Sequence, residues 1–186
     1  MNNKLFNNLF LIIILTLIGI GSRLMPHPPN ITAVGAVALF LGSYSKKNNL
    51  FFLVPFGIMF ISDLSMYYYR GTPFPGTIVY LCLLAYIPIG SYLIRQITVK
   101  NIILSSLSGA TLFFFITNFS VWINSGGVAP YTYNFSGLIN CYIAAIPFYA
   151  NSVAGNLIWC SFIFGSFETS KNLLFKKSLA SNTKKQ

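Results

Sequence analysis

The sequence predicts an all-α membrane protein of six transmembrane helices with both termini in the cytoplasm. Three observations predict it. The 186 residues are 55% hydrophobic and only 8% charged, where a soluble domain carries about 25% charged residues, so there are too few polar side chains to cover even one globule in water. The apolar residues fall into six runs, each bounded by Pro, Gly, Asn or basic breaks. The twelve Lys and Arg gather on alternate sides of those runs.

The first run, residues 5–22, follows Lys4 and ends before Arg23. It shares a basic start, an apolar core and a small-residue end (Gly19 to Ser22) with a cleaved signal peptide, but its core runs long for one, and a retained span is the reading adopted. Pro26-His27-Pro28-Pro29-Asn30 breaks the chain before the second run, residues 31–44, which is short for a full crossing of about 20 residues. Lys46-Lys47-Asn48-Asn49 precedes the third run, residues 50–66, and Arg70 with Gly71, Pro73, Pro75 and Gly76 separates it from the fourth, residues 77–94. The fifth covers residues 102–123. The last, residues 135–167, is long enough for a span preceded by an interfacial or re-entrant helix, with Pro147 as the expected joint. Residues 1–170 thus read as one integral-membrane domain and residues 171–186 as a basic cytoplasmic tail.

If the first run enters from the cytoplasm, Lys4, Lys46, Lys47, Arg95, Lys100, Lys171, Lys176, Lys177, Lys184 and Lys185 lie inside and only Arg23 and Arg70 outside. That split obeys the positive-inside rule. The net charge of +10 therefore reports topology and contact with anionic lipid rather than nucleic acid, since no basic face interleaves with aromatics. Cys82, Cys141 and Cys160 sit in apolar stretches without CxxC spacing and read as small buried hydrophobes, so neither a disulfide framework nor a metal site is expected.

With this topology, polar residues accumulate on the outer side. Small hydroxyls, which bond their own helix backbone, dominate the inner half. Asn, Asp and Arg cannot do so, and their concentration predicts an outward-facing polar pocket sealed toward the cytoplasm by aliphatic packing. Asp63 is the sharpest residue: a carboxylate about three turns into a span costs about 2.5–3.5 kcal/mol unless paired or hydrated. Arg23 and Arg70 are its candidate partners, and it reads either as a ligand-facing group or as half of a structural pair. His27 is held between prolines in an outer loop, as part of a lid or as a purely structural residue. Asn118 and Trp122, spaced i, i+4, share a face near the outer end of the fifth run, as a pocket wall or as helix-to-helix contacts. Asn151 and Gly155 share a face of the last run, where Gly155 permits close approach. Arg23, His27, Asn30, Asp63, Asn118, Trp122 and Asn151 are the candidate solute-binding residues; no catalytic motif and no cofactor is expected, because GxGxxG, P-loop, HExxH and GxSxG patterns are missing.

The stretch Arg23-Leu24-Met25-Pro26-His27-Pro28-Pro29-Asn30, followed by residues 35–40 and Gly42, resembles an uncharacterised family of bacterial multi-pass proteins described as transport proteins. Ser62-Asp63, Thr117-Asn118-Phe119 with Trp122, Gly137-Leu138, Cys141-Tyr142, Ile146-Pro147-Phe148 and residues 151–155 continue the resemblance. It implies a multi-pass protein of the bacterial cytoplasmic (inner) membrane. The layout is also similar to the substrate-binding membrane subunit of energy-coupling-factor vitamin transporters, which implies uptake of a small polar or vitamin-like solute with a separate energising membrane subunit and ATPases as partners. Two other classes stay open: a membrane-embedded enzyme on a lipid-linked or phosphorylated substrate, with His27 as base, and a non-catalytic assembly subunit. One His and two acidic residues make a thin catalytic inventory.

Overall fold

The computed structural model describes residues 3–44 and 49–183; Lys46, Lys47, Lys184 and Lys185, all assigned to the cytoplasmic side, lie outside them. Among the described residues every secondary-structure element is a helix. The chain forms α1 (Asn3–Leu24), α2 (Val34–Tyr44), a 3-10 turn (Asn49–Phe52), α3 (Leu53–Arg70), α4 (Thr77–Leu84), α5 (Tyr86–Leu93), α6 (Val99–Ile123) and α7 (Phe135–Thr183). Two of these, α6 and α7, are long and apolar enough to cross a membrane.

The second apolar run is short because it is the core. Every residue of α2 from Val34 to Gly42 is buried, and a helix that is apolar all round must be enclosed on all sides. At 11 residues and 1.5 Å per residue it measures about 16 Å, roughly half a hydrocarbon layer. It packs closest against α5. A methyl group built on Gly42 would collide with the Ile87 carbonyl, and one on Gly90 with the Leu39 carbonyl, so the two backbones touch where both helices lack a side chain.

The fourth run is two helices rather than one, because Pro88 offers no N–H to the Leu84 carbonyl and its ring crowds that group. The ladder breaks at Ala85, between α4 and α5. The expected joint at Pro147 is, by contrast, absent: α7 continues through it from Phe135 to Thr183. A proline inside a helix removes one hydrogen bond, and the bonds on either side carry the helix past it.

Local signals place the other ends. Asn134 Oδ1 accepts the Gly137 N–H at 2.8 Å and caps α7, and Thr98 Oγ1 accepts the Asn101 N–H at 3.3 Å and caps α6. Gly71, at φ 65°, ends α3 with its N–H on the Tyr67 carbonyl, a left-handed stop that turns the chain into the 71–76 loop.

The polarity is that of a protein in an apolar surround. Leu17, Phe56, Phe60, Ile116, Phe119 and Phe162 are exposed on the outer faces, far more apolar surface than a water-borne monomer presents, while Ser62, Asp63, Ser105, Ser106, Ser152 and Asn156 are buried inside.

Candidate functional site

At one end of the bundle a cavity of about 640 Å³ opens between α1, α3, α4, α6 and α7, above the start of α2. Two proline-bearing loops meet at its mouth. One contributes His27, Pro29, Asn30 and Thr32, and the other Thr72 and Pro75. Val79 and Leu83 from α4, Phe113 and Phe114 from α6, and Phe148 and Tyr149 from α7 form largely apolar walls, and Gly35, Tyr86, Ser152 and Asn156 lie at the depth of α2's first turn.

The charged corner is built from α1, α3 and α4. The Arg23 guanidinium donates to Asp63 Oδ1 and lies against Met59 Sδ, and Tyr80 donates its hydroxyl proton to Asp63 Oδ2 at 2.5 Å. Both carboxylate oxygens are therefore occupied, and Asp63 is only 3% exposed. Of the two expected partners, Arg23 is the one that pairs. Arg70 instead donates to the Leu24 carbonyl at 2.6 Å and fastens the end of α3 to the end of α1. The acid is thus shielded behind Arg23 and does not line the cavity.

Arg23, His27, Asn30 and Asn118 are brought together around the cavity; Asp63, Trp122 and Asn151 are not among the residues that line it. His27 Nδ1 lies 2.7 Å from the Pro28 carbonyl oxygen, within its own loop. Asn30, at φ 67°, donates to the Phe148 carbonyl at 3.3 Å, which ties the loop to α7 beside Pro147. The close approach expected at Gly155 is made by that same loop: a Cβ there would stand 2.9 Å from Ile31 Cα. Asn118 donates to the Phe114 carbonyl one turn back on its own helix at 2.8 Å, so here an Asn does satisfy itself on its helix backbone, against the expectation that only small hydroxyls would. Trp122 donates to the Thr132 carbonyl at 3.0 Å and meets Tyr133 edge-on, bracing the connection from α6 to α7.

The face that α7 turns to the cavity is Tyr149, Ser152 and Asn156 rather than Asn151 and Gly155. Their i, i+3, i+7 spacing is a helical face, but spacing alone does not say which face of α7 turns inward. Asn156 is 5% exposed; its Nδ2 reaches the Tyr86 hydroxyl and the Ser106 carbonyl, each at 3.4 Å. The packing below is aliphatic, with Leu39, Leu41, Ile87, Ile94 and Ile163 buried, and carries an aromatic cluster in which Phe40 meets Phe164 and Phe167 edge-on, each at 5.1 Å between ring centres. Among the described residues no three His, Cys, Asp or Glu side chains cluster as metal ligands, and Cys82, Cys141 and Cys160 are free and buried.

A model of one protein family, described as Family of unknown function (DUF6580), matches residues 3–179. The chain belongs to that family. The match takes in every helix that builds the cavity, and the family's description names no activity. No curated protein and no solved structure matches the chain.

Proposed function

We propose that the chain is a multi-pass protein of the bacterial inner membrane that binds a small polar, partly aromatic solute in an outward-facing pocket and serves its uptake. The six apolar runs correspond to α1, α2, α3, the α4–α5 pair, α6 and α7, with both termini cytoplasmic. In this reading α2 crosses together with the irregular segment before it, buried in protein where irregular backbone is tolerated. The positive-inside rule assigns the cavity to the outer face, because Arg95, Lys100 and Lys171 belong to the opposite end of the bundle.

The observation that carries the reading is the cavity itself. A volume of about 640 Å³ lies within the range of roughly 300–1,000 Å³ typical of small-molecule sites. Apolar walls with a few convergent amides and hydroxyls suit binding, and an uncatalysed binding role agrees with the shortage of acids and bases. Movement of solute would then draw its energy from a separate membrane subunit and ATPases.

Extraction of the purified protein and mass spectrometry of the extract test this. A single small molecule retained in near-stoichiometric amount is expected from the wild type, with less from His27→Ala and Asn118→Ala at unchanged yield. If both variants retained the molecule fully but lost stability in detergent, these residues would be helix-packing contacts and the assembly role would replace binding.

A further inference from the structure

The binding reading leaves open what chemistry the solute carries, and the floor of the cavity bears on this. Arg23 is the one Lys or Arg among the lining residues, and no Asp or Glu is present. Its charge is already met by Asp63 behind it. An ionic solute would give up its hydration here without gaining a counter-charge, a loss that a neutral one escapes.

Asn156 supplies the specific feature. Its orientation is fixed by the Ser106 carbonyl, which only accepts, so Nδ2 faces that group and Oδ1 faces the other way. Oδ1 lies against Gly35, where a side chain would strike it. It accepts no hydrogen bond among the described residues, although Asn156 is 95% buried by its 5% exposure. Beside it, Thr32 and Gly35 flank the start of α2 within the cavity lining, and the first-turn N–H groups of that helix have no intrahelical acceptor. An acceptor without a partner, on a residue of the cavity lining, and the helix-start donors therefore stand side by side at the floor.

We propose that the pocket recognises a neutral, planar heterocycle through a cyclic amide edge: the ligand N–H donates to Asn156 Oδ1, and the adjacent ligand carbonyl accepts from the first turn of α2. The ring lies against the aromatic wall that Phe114 and Tyr149 make together, packed on each other at 5.0 Å between centres. This inference rests on the binding reading above and adds the ligand's charge and hydrogen-bonding edge.

Three probes of similar size separate the possibilities by calorimetry on the full chain in nanodiscs: quinazoline-2,4-dione, its 1,3-dimethyl derivative with both N–H groups blocked, and 2-naphthoate. The dione is expected to bind at least about tenfold tighter than either of the others, and Asn156→Ala to remove that preference by bringing the dione to the level of the dimethyl compound. Equal affinity for dione and dimethyl compound in the wild type would overturn the amide-edge assignment while leaving the pocket as a binding site. Tightest binding by 2-naphthoate would overturn the neutral-ligand assignment in favour of an anion. Absence of binding by all three would overturn the proposal, and an empty extract from the purified protein would then remove the binding reading beneath it as well. The wild-type series decides the outcome even if Asn156→Ala fails to accumulate.

Discussion

Asp63 accepts from Arg23 on one oxygen and from Tyr80 on the other, with 3% of its surface exposed. Removing one member of a buried pair strands the other charge, which costs about 3–5 kcal/mol. Asp63→Ala and Arg23→Ala are therefore each expected to lower thermal stability in detergent sharply, and the double charge reversal to recover part of the loss. Tyr80→Phe, which removes one hydrogen bond to a charged acceptor, is expected to cost about 1.5–3 kcal/mol. Melting curves of the four variants check this. A double reversal no better than the worse single variant would deny direct pairing. This pair was legible in the sequence, because an acid in an apolar run requires a partner and few cations stand near it. Asn156 was not: single residues carry no depth or facing of their own, and the choice between Asn151 and Asn156 depends on the rotation of α7, which packing against α6 and the Asn30–Ile31 loop decides.

At the scale of the elements, α2 and α5 meet through Gly42 and Gly90, each against the other's backbone carbonyl. Backbone cannot yield as a side-chain tip does, so Gly42→Ala and Gly90→Ala are each expected to destabilise by about 1–3 kcal/mol through overpacking. Gly57, inside α3, has nothing within 4 Å of an added Cβ, and Gly57→Ala is expected to stabilise by about 0.5–1 kcal/mol. Thermal unfolding of the three variants, read as opposite signs of shift, tests whether α2 is held as closely as the fold requires. The start of α7 at Phe135 was readable from the sequence, and the structure places it there. The joint expected at Pro147 is missing and an unforeseen break stands before Pro88, which separates α4 from α5 while Pro147 leaves α7 whole. Proline chemistry is the same at both sites; what differs is whether neighbouring helices favour a bend, and that is tertiary information.

For the whole molecule, the apolar exterior, the buried polar interior and the cavity beneath two proline-bearing loops fit together: α2 is a central half-length helix, its C-terminal half packed among aliphatic and aromatic side chains and its first turn facing the cavity. The composition announced the membrane environment, and the polar bias of one end announced a pocket there. Which residues line it required the arrangement of seven helices in space. Solute uptake requires that this cavity open to the outside of the cell. Asn118→Cys places a thiol in the cavity wall and Ser43→Cys one near the opposite end of α2, against native cysteines that are all buried. With an impermeant methanethiosulfonate reagent on intact cells, the account predicts modification of the first and none of the second until the membrane is permeabilised. Modification of Ser43→Cys from outside, with Asn118→Cys reached only after permeabilisation, would contradict it.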